Sequence, residues 1–208
     1  MDAPPESIKL VVTSPPDLSE TPYTKWNQLF ELYRITVDRC VRALRSDGIV
    51  SIIVTDRKWK GTIVFKHQRL ATLLDGMGLE PFLHKILVRN FGTNMFRLGF
   101  SHILCFRRRD RSRASKGTCL RASAEFRRDV WGPFASVGWG QKTRNSFAPE
   151  AVKLLVEAFT QPKDVVLDPF CGCGTTQRVA LGMGRQAFGF ETNPGLARFW
   201  SSIGRPAE

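Results

Sequence analysis

Residues 165–191 constrain this chain more than any other stretch of it. An apolar run, Val165-Val166-Leu167, ends in Asp168; Pro169, Phe170, Gly172 and Gly174 then make a tight turn, and Thr175-Thr176 open a helix. A second apolar run, residues 187–190, ends in Glu191, seventeen residues after Gly174. Strand, glycine-rich turn, helix and acid-tipped strand together describe a βαβ unit that holds a nucleoside. The glycines let the backbone approach the ligand, and a carboxylate at the tip of the second strand can grip ribose hydroxyls.

The turn alone leaves the ligand open, because NAD, FAD and S-adenosylmethionine are all bound near such turns and some turns only tighten an α/β connection. A pyrophosphate site resembles G-x-G-x-x-G, with the helix N-terminus facing the phosphates. Here Asp168 and Pro169 precede the turn and no third glycine falls in register. A carboxylate beside the ligand suits a cationic or zwitterionic tail better than a pyrophosphate, which favours S-adenosylmethionine.

A second motif stands near the other end. Residues 8–12 are an apolar, β-branched run of the kind found in buried strands, and they lead straight into Thr13-Ser14-Pro15-Pro16. Each proline fixes its φ and removes an N–H, so the strand stops and the loop stiffens. The Ser14 hydroxyl and the carbonyls of Ser14 and Pro15 are then held as acceptors at the carboxyl end of the strand, where open α/β sheets bind ligands.

T-S-P-P at 13–16, D-P-F-C-G-C-G-T-T at 168–176 and F-G-F-E at 188–191 resemble the amino-group DNA methyltransferases with permuted motif order, the beta group. Ser-Pro-Pro resembles the N4-cytosine branch, where most adenine-N6 enzymes carry Asp-Pro-Pro. Residues 44–56 are similar to the family's strand after the catalytic loop, 96–106 to its late hairpin strand, and 146–159 to the helix before the cofactor strand. The resemblance implies a Rossmann-like, S-adenosylmethionine-dependent methyltransferase fold: α/β, with a mainly parallel sheet and a C-proximal antiparallel hairpin. It divides the chain into a catalytic half (1–106), a basic target-recognition segment (107–145) and a cofactor-binding half (146–208).

The resemblance also implies roles. Ser14, Pro15, Pro16 and Asp17 make up the catalytic loop; Thr13, Asp168, Pro169, Phe170, Gly172, Gly174, Thr175, Thr176, Glu191 and Asn193 bind S-adenosylmethionine. Within that set, Asp168 sits near the methionine amino group, Glu191 binds the ribose and Phe170 lines the adenosine pocket. Asp56, also at a strand end, is a weaker candidate for the same site. The expected activity is methyl transfer to the N4 amine of cytosine in double-stranded DNA, the base being flipped from the stack to reach the pocket. Adenine-N6 transfer and a degenerate DNA- or cofactor-binding subunit are the alternatives. A cytoplasmic enzyme is expected, nucleoid-associated if prokaryotic, in a restriction-modification setting.

The charge of +12 is unevenly placed: residues 107–145 hold eleven Lys or Arg against three acids, a net +8. Such a run is usually a solvated surface, but here it falls where the family keeps its target-recognition region. Arg107, Arg108, Arg109, Arg111, Arg113, Lys116, Arg121, Lys142 and Arg144 are the expected nucleic-acid contacts. Trp131, Phe134 and Trp139 are interleaved with this charge, to stack on bases or to pack a small subdomain. Five cysteines without paired metal spacing suggest reduced thiols; Cys171 and Cys173 read as small residues in a crowded turn, and no metal site is expected. No stretch is apolar enough to cross a membrane.

For the frame, residues 24–45 read as an amphipathic helix ended by Asp47-Gly48, 49–54 as the next strand and 64–74 as a further helix. Residues 81–89 and 101–107 read as a hairpin. Two departures from the family stand out. An aromatic residue that stacks on the flipped base usually follows Pro-Pro, but this chain has Asp17, leaving Tyr23 or Trp26 as the replacement platform or the enzyme inactive. Relatives also carry one more strand before the Ser-Pro-Pro strand, whereas seven residues precede Ile8. One wall of the adenine pocket is therefore expected to be missing, shortened or supplied by another subunit, and an exposed sheet edge favours a homodimer or partner subunit.

Overall fold

The run at 8–12 becomes β1 (Ile8–Thr13), with all six residues buried. A strand buried on both faces belongs inside a parallel sheet. The computed structural model describes residues 4–89, 98–110, 122–134 and 148–199. After β1, a single 3-10 turn (Leu18–Glu20) leads to α1 (Trp26–Ala43) and β2 (Leu44–Val54). A short hairpin, β3 (Arg57–Trp59) and β4 (Thr62–Val64), precedes α2 (Lys66–Asp75), β5 (Leu79–Val88) and β6 (Phe100–Arg108). Then come α3 (Ala124–Arg127), β7 (Val130–Trp131) and α4 (Pro149–Phe159). The last unit is β8 (Val165–Asp168), α5 (Thr175–Gly182) and β9 (Gln186–Gly189), followed by a 3-10 turn at Pro194–Phe199.

Seven strands form one sheet in the order β7-β5-β6-β2-β1-β8-β9. β1 pairs in parallel with both β2 and β8, and β8 with β9. β6 runs antiparallel to β2 and to β5, which gives the expected hairpin on a mainly parallel sheet. The chain leaves β1 toward β2 on one side and leaves β8 toward β9 on the other. Between diverging connections of this kind the carboxyl ends of adjacent strands open a crevice. Thr13 and Asp168, the last residues of β1 and β8, stand on its two sides.

Helices cover both faces. On one, Leu29, Tyr33 and Val37 of α1 pack with Leu70 and Leu74 of α2 against Val11, Val50 and Ile52. On the other, Leu155, Val156 and Phe159 of α4 pack with Phe126 and Trp131 against Leu10, Ile103 and Val166. Each fully buried Leu or Phe contributes about 1.5–3 kcal/mol relative to exposure.

Three boundaries differ from the sequence reading. The helix ends at Ala43, and Asp47-Gly48 lies inside β2 rather than ending the helix, because Leu44 already pairs with Ile8. Gly48 is required there: a Cβ would come within 2.7 Å of the Leu44 side chain. Asp47 pairs at 2.7 Å with the buried ammonium of Lys9. Finally, residues 62–64 are strand rather than helix. Their β-branched side chains suit extended pairing with residues 57–59, and α2 starts only at Lys66.

Candidate active site

One buried hydrogen bond joins the two sequence motifs: the Thr13 hydroxyl donates to Asp168 Oδ1 at 2.6 Å. Asp168 Oδ1 also accepts the Phe170 N–H at 3.1 Å, and Oδ2 accepts the Thr176 hydroxyl at 2.8 Å. The carboxyl is 1% exposed. Burial pushes its pKa up to about 6, against the opposing pull of those three donors. Asp168 thus ties the end of β1, the turn after β8 and the start of α5 to one point.

The turn itself needs its glycines. Gly174 caps α5 at φ +83° and Gly172 sits at φ +53°, a left-handed region that costs other residue types about 1–2 kcal/mol. Glu191, just past β9, accepts the N–H of Gly172 at 3.0 Å on one oxygen and that of Asn193 at 2.7 Å on the other. Each carboxylate oxygen has a second acceptor direction, so Glu191 keeps capacity for a ligand hydroxyl. Cys171 and Cys173 are both buried, and burial pushes the Cys171 thiol up, away from a reactive thiolate. Gly189 lies against this turn: a Cβ there would come within 2.8 Å of Cys171.

Pro15 is buried, while Ser14, Pro16 and Asp17 are half-buried. The Tyr33 phenol donates to the Pro16 carbonyl, and burial raises its pKa, so it stays a donor. Tyr33 also meets Phe170 edge-to-face at 6.2 Å, linking the two loops a second time. Among the described residues neither the Ser14 hydroxyl nor the Pro15 carbonyl has a protein donor or acceptor. Asp17 is engaged differently. Its side chain caps the 3-10 turn, accepting from Leu18 N–H at 2.7 Å, and lies 3.7 Å from Arg57 and 3.8 Å from the buried Lys66. Tyr23 and Trp26 pack against the core beneath this loop.

Sequence reading missed a neighbouring cluster. All three histidines of the chain, His67, His84 and His102, gather on Asp56 at the carboxyl end of β2. His67 Nδ1 lies 2.7 Å from Asp56 Oδ2, and His102 Nε2 lies 3.6 Å from it. His84 Nε2 meets His102 Nδ1 at 3.0 Å. The His67 and His102 rings are stacked 3.9 Å apart at 15°. Imidazole lone pairs lie in the ring plane, so rings stacked this way cannot both face one ion. The arrangement supports the strand end rather than a metal. Burial and mutual repulsion hold His84 and His102 below their ordinary pKa.

The described part of the basic segment lies elsewhere. β6 runs antiparallel, so Arg107 pairs with Ile49 at the amino end of β2, away from the Ser-Pro-Pro loop. Arg107 binds Glu80 at 2.6 Å, Arg108 binds Asp110 at 2.8 Å, and Arg109 binds Asp75. Trp131 is fully buried against Phe126, with its indole N–H on the Arg128 carbonyl, and so packs rather than stacks on bases. Arg111, Arg113, Lys116, Arg121, Trp139, Lys142 and Arg144 lie outside the described residues. Among the described residues no helix is long and apolar enough to cross a membrane.

With this geometry in hand, comparison with known proteins is decisive at the family level. The model of the DNA methylase family of N6 and N4 methyltransferases matches residues 8–200. The chain belongs to this family. A stretch of 72 residues of this family member is 40% identical to the Type II methyltransferase M.XycI of Xanthomonas campestris pv. cyanopsidis; the match covers 33% of this chain and 22% of that protein. The fold of this DNA methylase matches the PvuII cytosine-N4-specific DNA methyltransferase with a TM-score of 0.78 at 17% identity, over 99% of this chain and 83% of that one. It also matches TTHA0409, a DNA modification methylase of Thermus thermophilus solved with S-adenosyl-L-methionine. There the TM-score is 0.74 at 23% identity, over 97% of this chain and 90% of that one.

Proposed function

We propose that the chain is a DNA methyltransferase that moves a methyl group from S-adenosylmethionine to the N4 amine of cytosine. The observation that carries this reading is the meeting of two unpartnered acceptors, Ser14 Oγ and the Pro15 carbonyl, with the Asp168–Gly174 cradle at one sheet crevice. The cradle fits the cofactor by its chemistry. A buried carboxyl sets a negative field for an ammonium and a sulfonium, open backbone at Gly172 admits a ligand, and Glu191 has acceptor capacity for ribose hydroxyls. S-adenosylmethionine supplies an electrophilic methyl group when bound. Relatives named Type II methyltransferases support a modification role on DNA, in the cytoplasm.

The substrate's electronics set the task of the loop. An exocyclic amine on cytosine shares its lone pair with the ring and is a poor nucleophile. Ser14 Oγ and the Pro15 carbonyl accept its two N–H bonds and favour a pyramidal nitrogen, whose lone pair can then attack in line. Tyr33 and the two prolines hold these acceptors rigid, so positioning and electrostatics do most of the work. No strong base is needed first, because the amine proton becomes acidic once nitrogen carries the methyl. The Ser-Pro-Pro sequence and the PvuII structural likeness favour cytosine over adenine.

The test is Ser14→Ala. Methyl transfer to duplex DNA should fall by about 10²-fold or more, while cofactor and DNA affinities stay at wild-type values. Undiminished transfer in this variant contradicts the proposed loop chemistry.

A further inference from the structure

The expected DNA-contacting arginines of the described chain, Arg107 to Arg109, are bound to carboxylates at the far end of β2. The carboxyl end, where the Ser14 and Pro15 acceptors lie, carries other cations. The β3–β4 hairpin leaves β2 there and exposes Arg57, Lys58 and Lys60. Arg57 leans on Asp17 at 3.7 Å, which fixes the hairpin beside the catalytic loop.

Behind the hairpin lies a cleft of about 680 Å³, lined among others by Lys25, Trp26, Ile63, Phe65 and Arg69. Ile63 and Phe65 are 45% and 47% exposed, unusual for large apolar side chains beside a charged rim. The indole N–H of Trp26 is buried and has no acceptor among the described residues. Among those residues Lys25 and Arg69 have no carboxylate partner; the Arg69 guanidinium lies over Phe30 at 5.1 Å.

The hairpin tip adds a second observation. Lys60 and Gly61 form a two-residue loop with φ of +48° and +80°. Positive φ at both central positions favours Asn-Gly or Gly-Gly. A lysine in that conformation is strained, and it places an ammonium at the tip where a better turn residue would place none. Strain held at one exposed position points to use of that side chain.

We propose that the β3–β4 hairpin and its cleft form a DNA clamp, gripping the strand on either side of the extruded nucleotide. Lys58, Lys60, Lys25 and Arg69 meet phosphates, and Phe65 offers a face to a neighbouring base. The assignment rests on the methyltransferase reading and on charge complementarity, a polyanion meeting the cations gathered around one cleft.

The experiment is fluorescence anisotropy of a labelled unmethylated duplex over a salt series, with S-adenosylhomocysteine present. Phosphate contacts are sequence-independent, so an arbitrary duplex serves. Lys58→Ala/Lys60→Ala should weaken binding about tenfold or more at low salt and flatten the salt slope by about 2. Arg107→Ala/Arg109→Ala should leave both unchanged. Lys60→Asn should raise the melting temperature and still weaken DNA binding, which separates contact from unfolding. Wild-type affinity and slope in the hairpin variants overturn the clamp alone. Failure of the wild-type protein to bind duplex DNA overturns the methyltransferase reading, and the clamp with it.

Discussion

Thr13 and Asp168 are 155 positions apart in sequence and share a buried hydrogen bond of 2.6 Å. This contact brings the catalytic loop onto the cofactor cradle, because Thr13 is the residue before Ser14 and Asp168 begins the glycine turn. Thr13→Val keeps the shape and removes the donor, leaving Oδ1 with only the Phe170 N–H. The expected loss is about 1–2 kcal/mol. Urea denaturation measures it, and Thr13→Ser should recover most of it.

Asp168 also sets a pH dependence. Its carboxyl ionises near 6 in the fold, against an ordinary value of 3.8. As pH rises from about 4 to about 6 the unfolded chain loses this proton first, so stability falls across that window and the loss is complete above it. The gap between the two values corresponds to about 3 kcal/mol. Subtracting the stability profile of Asp168→Asn from that of wild type isolates this slope. A cationic ligand favours the ionised carboxylate, so cofactor affinity should fall as pH drops below about 6, and the Asn variant should not show that fall.

Asp17 holds its loop by capping and charge rather than by offering a stacking surface. Asp17→Ala removes the cap on Leu18 and the carboxylate nearest the buried Lys66. A destabilisation of about 1–2 kcal/mol is expected. Asp17→Asn retains the cap, and its thermal midpoint should fall between those of wild type and Asp17→Ala. Asp17→Tyr should lose stability like Ala rather than gain transfer activity.

The Asp56 cluster slopes with pH in the opposite sense to Asp168. His84 and His102 have folded pKa values below 6.5, so as pH falls through 6.5 the unfolded chain binds protons first and stability is lost. His84→Gln and His102→Gln should each flatten the decline in melting temperature between pH 7 and pH 5. Asp56→Ala strips the acceptor from the His67 N–H and imidazole and should cost about 2–3 kcal/mol by the same measurement.

Much of the fold was legible because its signals are local. Residues 8–12 and 165–167 are short apolar runs bounded by Pro and Gly turns, and both are buried strands. Tyr33 and Val37 follow the helical period of α1, which is why that face was readable. The β3–β4 hairpin was not, since three-residue strands carry too little pattern; Lys60-Gly61 ahead of Thr62-Ile63-Val64 was the available signal. Strand direction was also hidden. Arg107 could be assigned to the amino end of the sheet only once β6 was known to run against β2. The histidine cluster depends on β5 pairing with β6 and on α2 packing beside them, and no spacing within the chain announces it. In the site, Asp168 and Glu191 were readable as acids at strand tips, whereas Tyr33 was not, because its role is a contact between loop and helix.

The most direct test of the central claim is transfer of labelled methyl from S-adenosylmethionine to unmethylated genomic DNA, followed by nucleoside digestion and mass spectrometry. The account predicts N4-methylcytosine as the labelled product. N6-methyladenine would contradict the assignment of the target base, and the absence of any methylated nucleoside while the protein binds both cofactor and DNA would contradict the proposed activity.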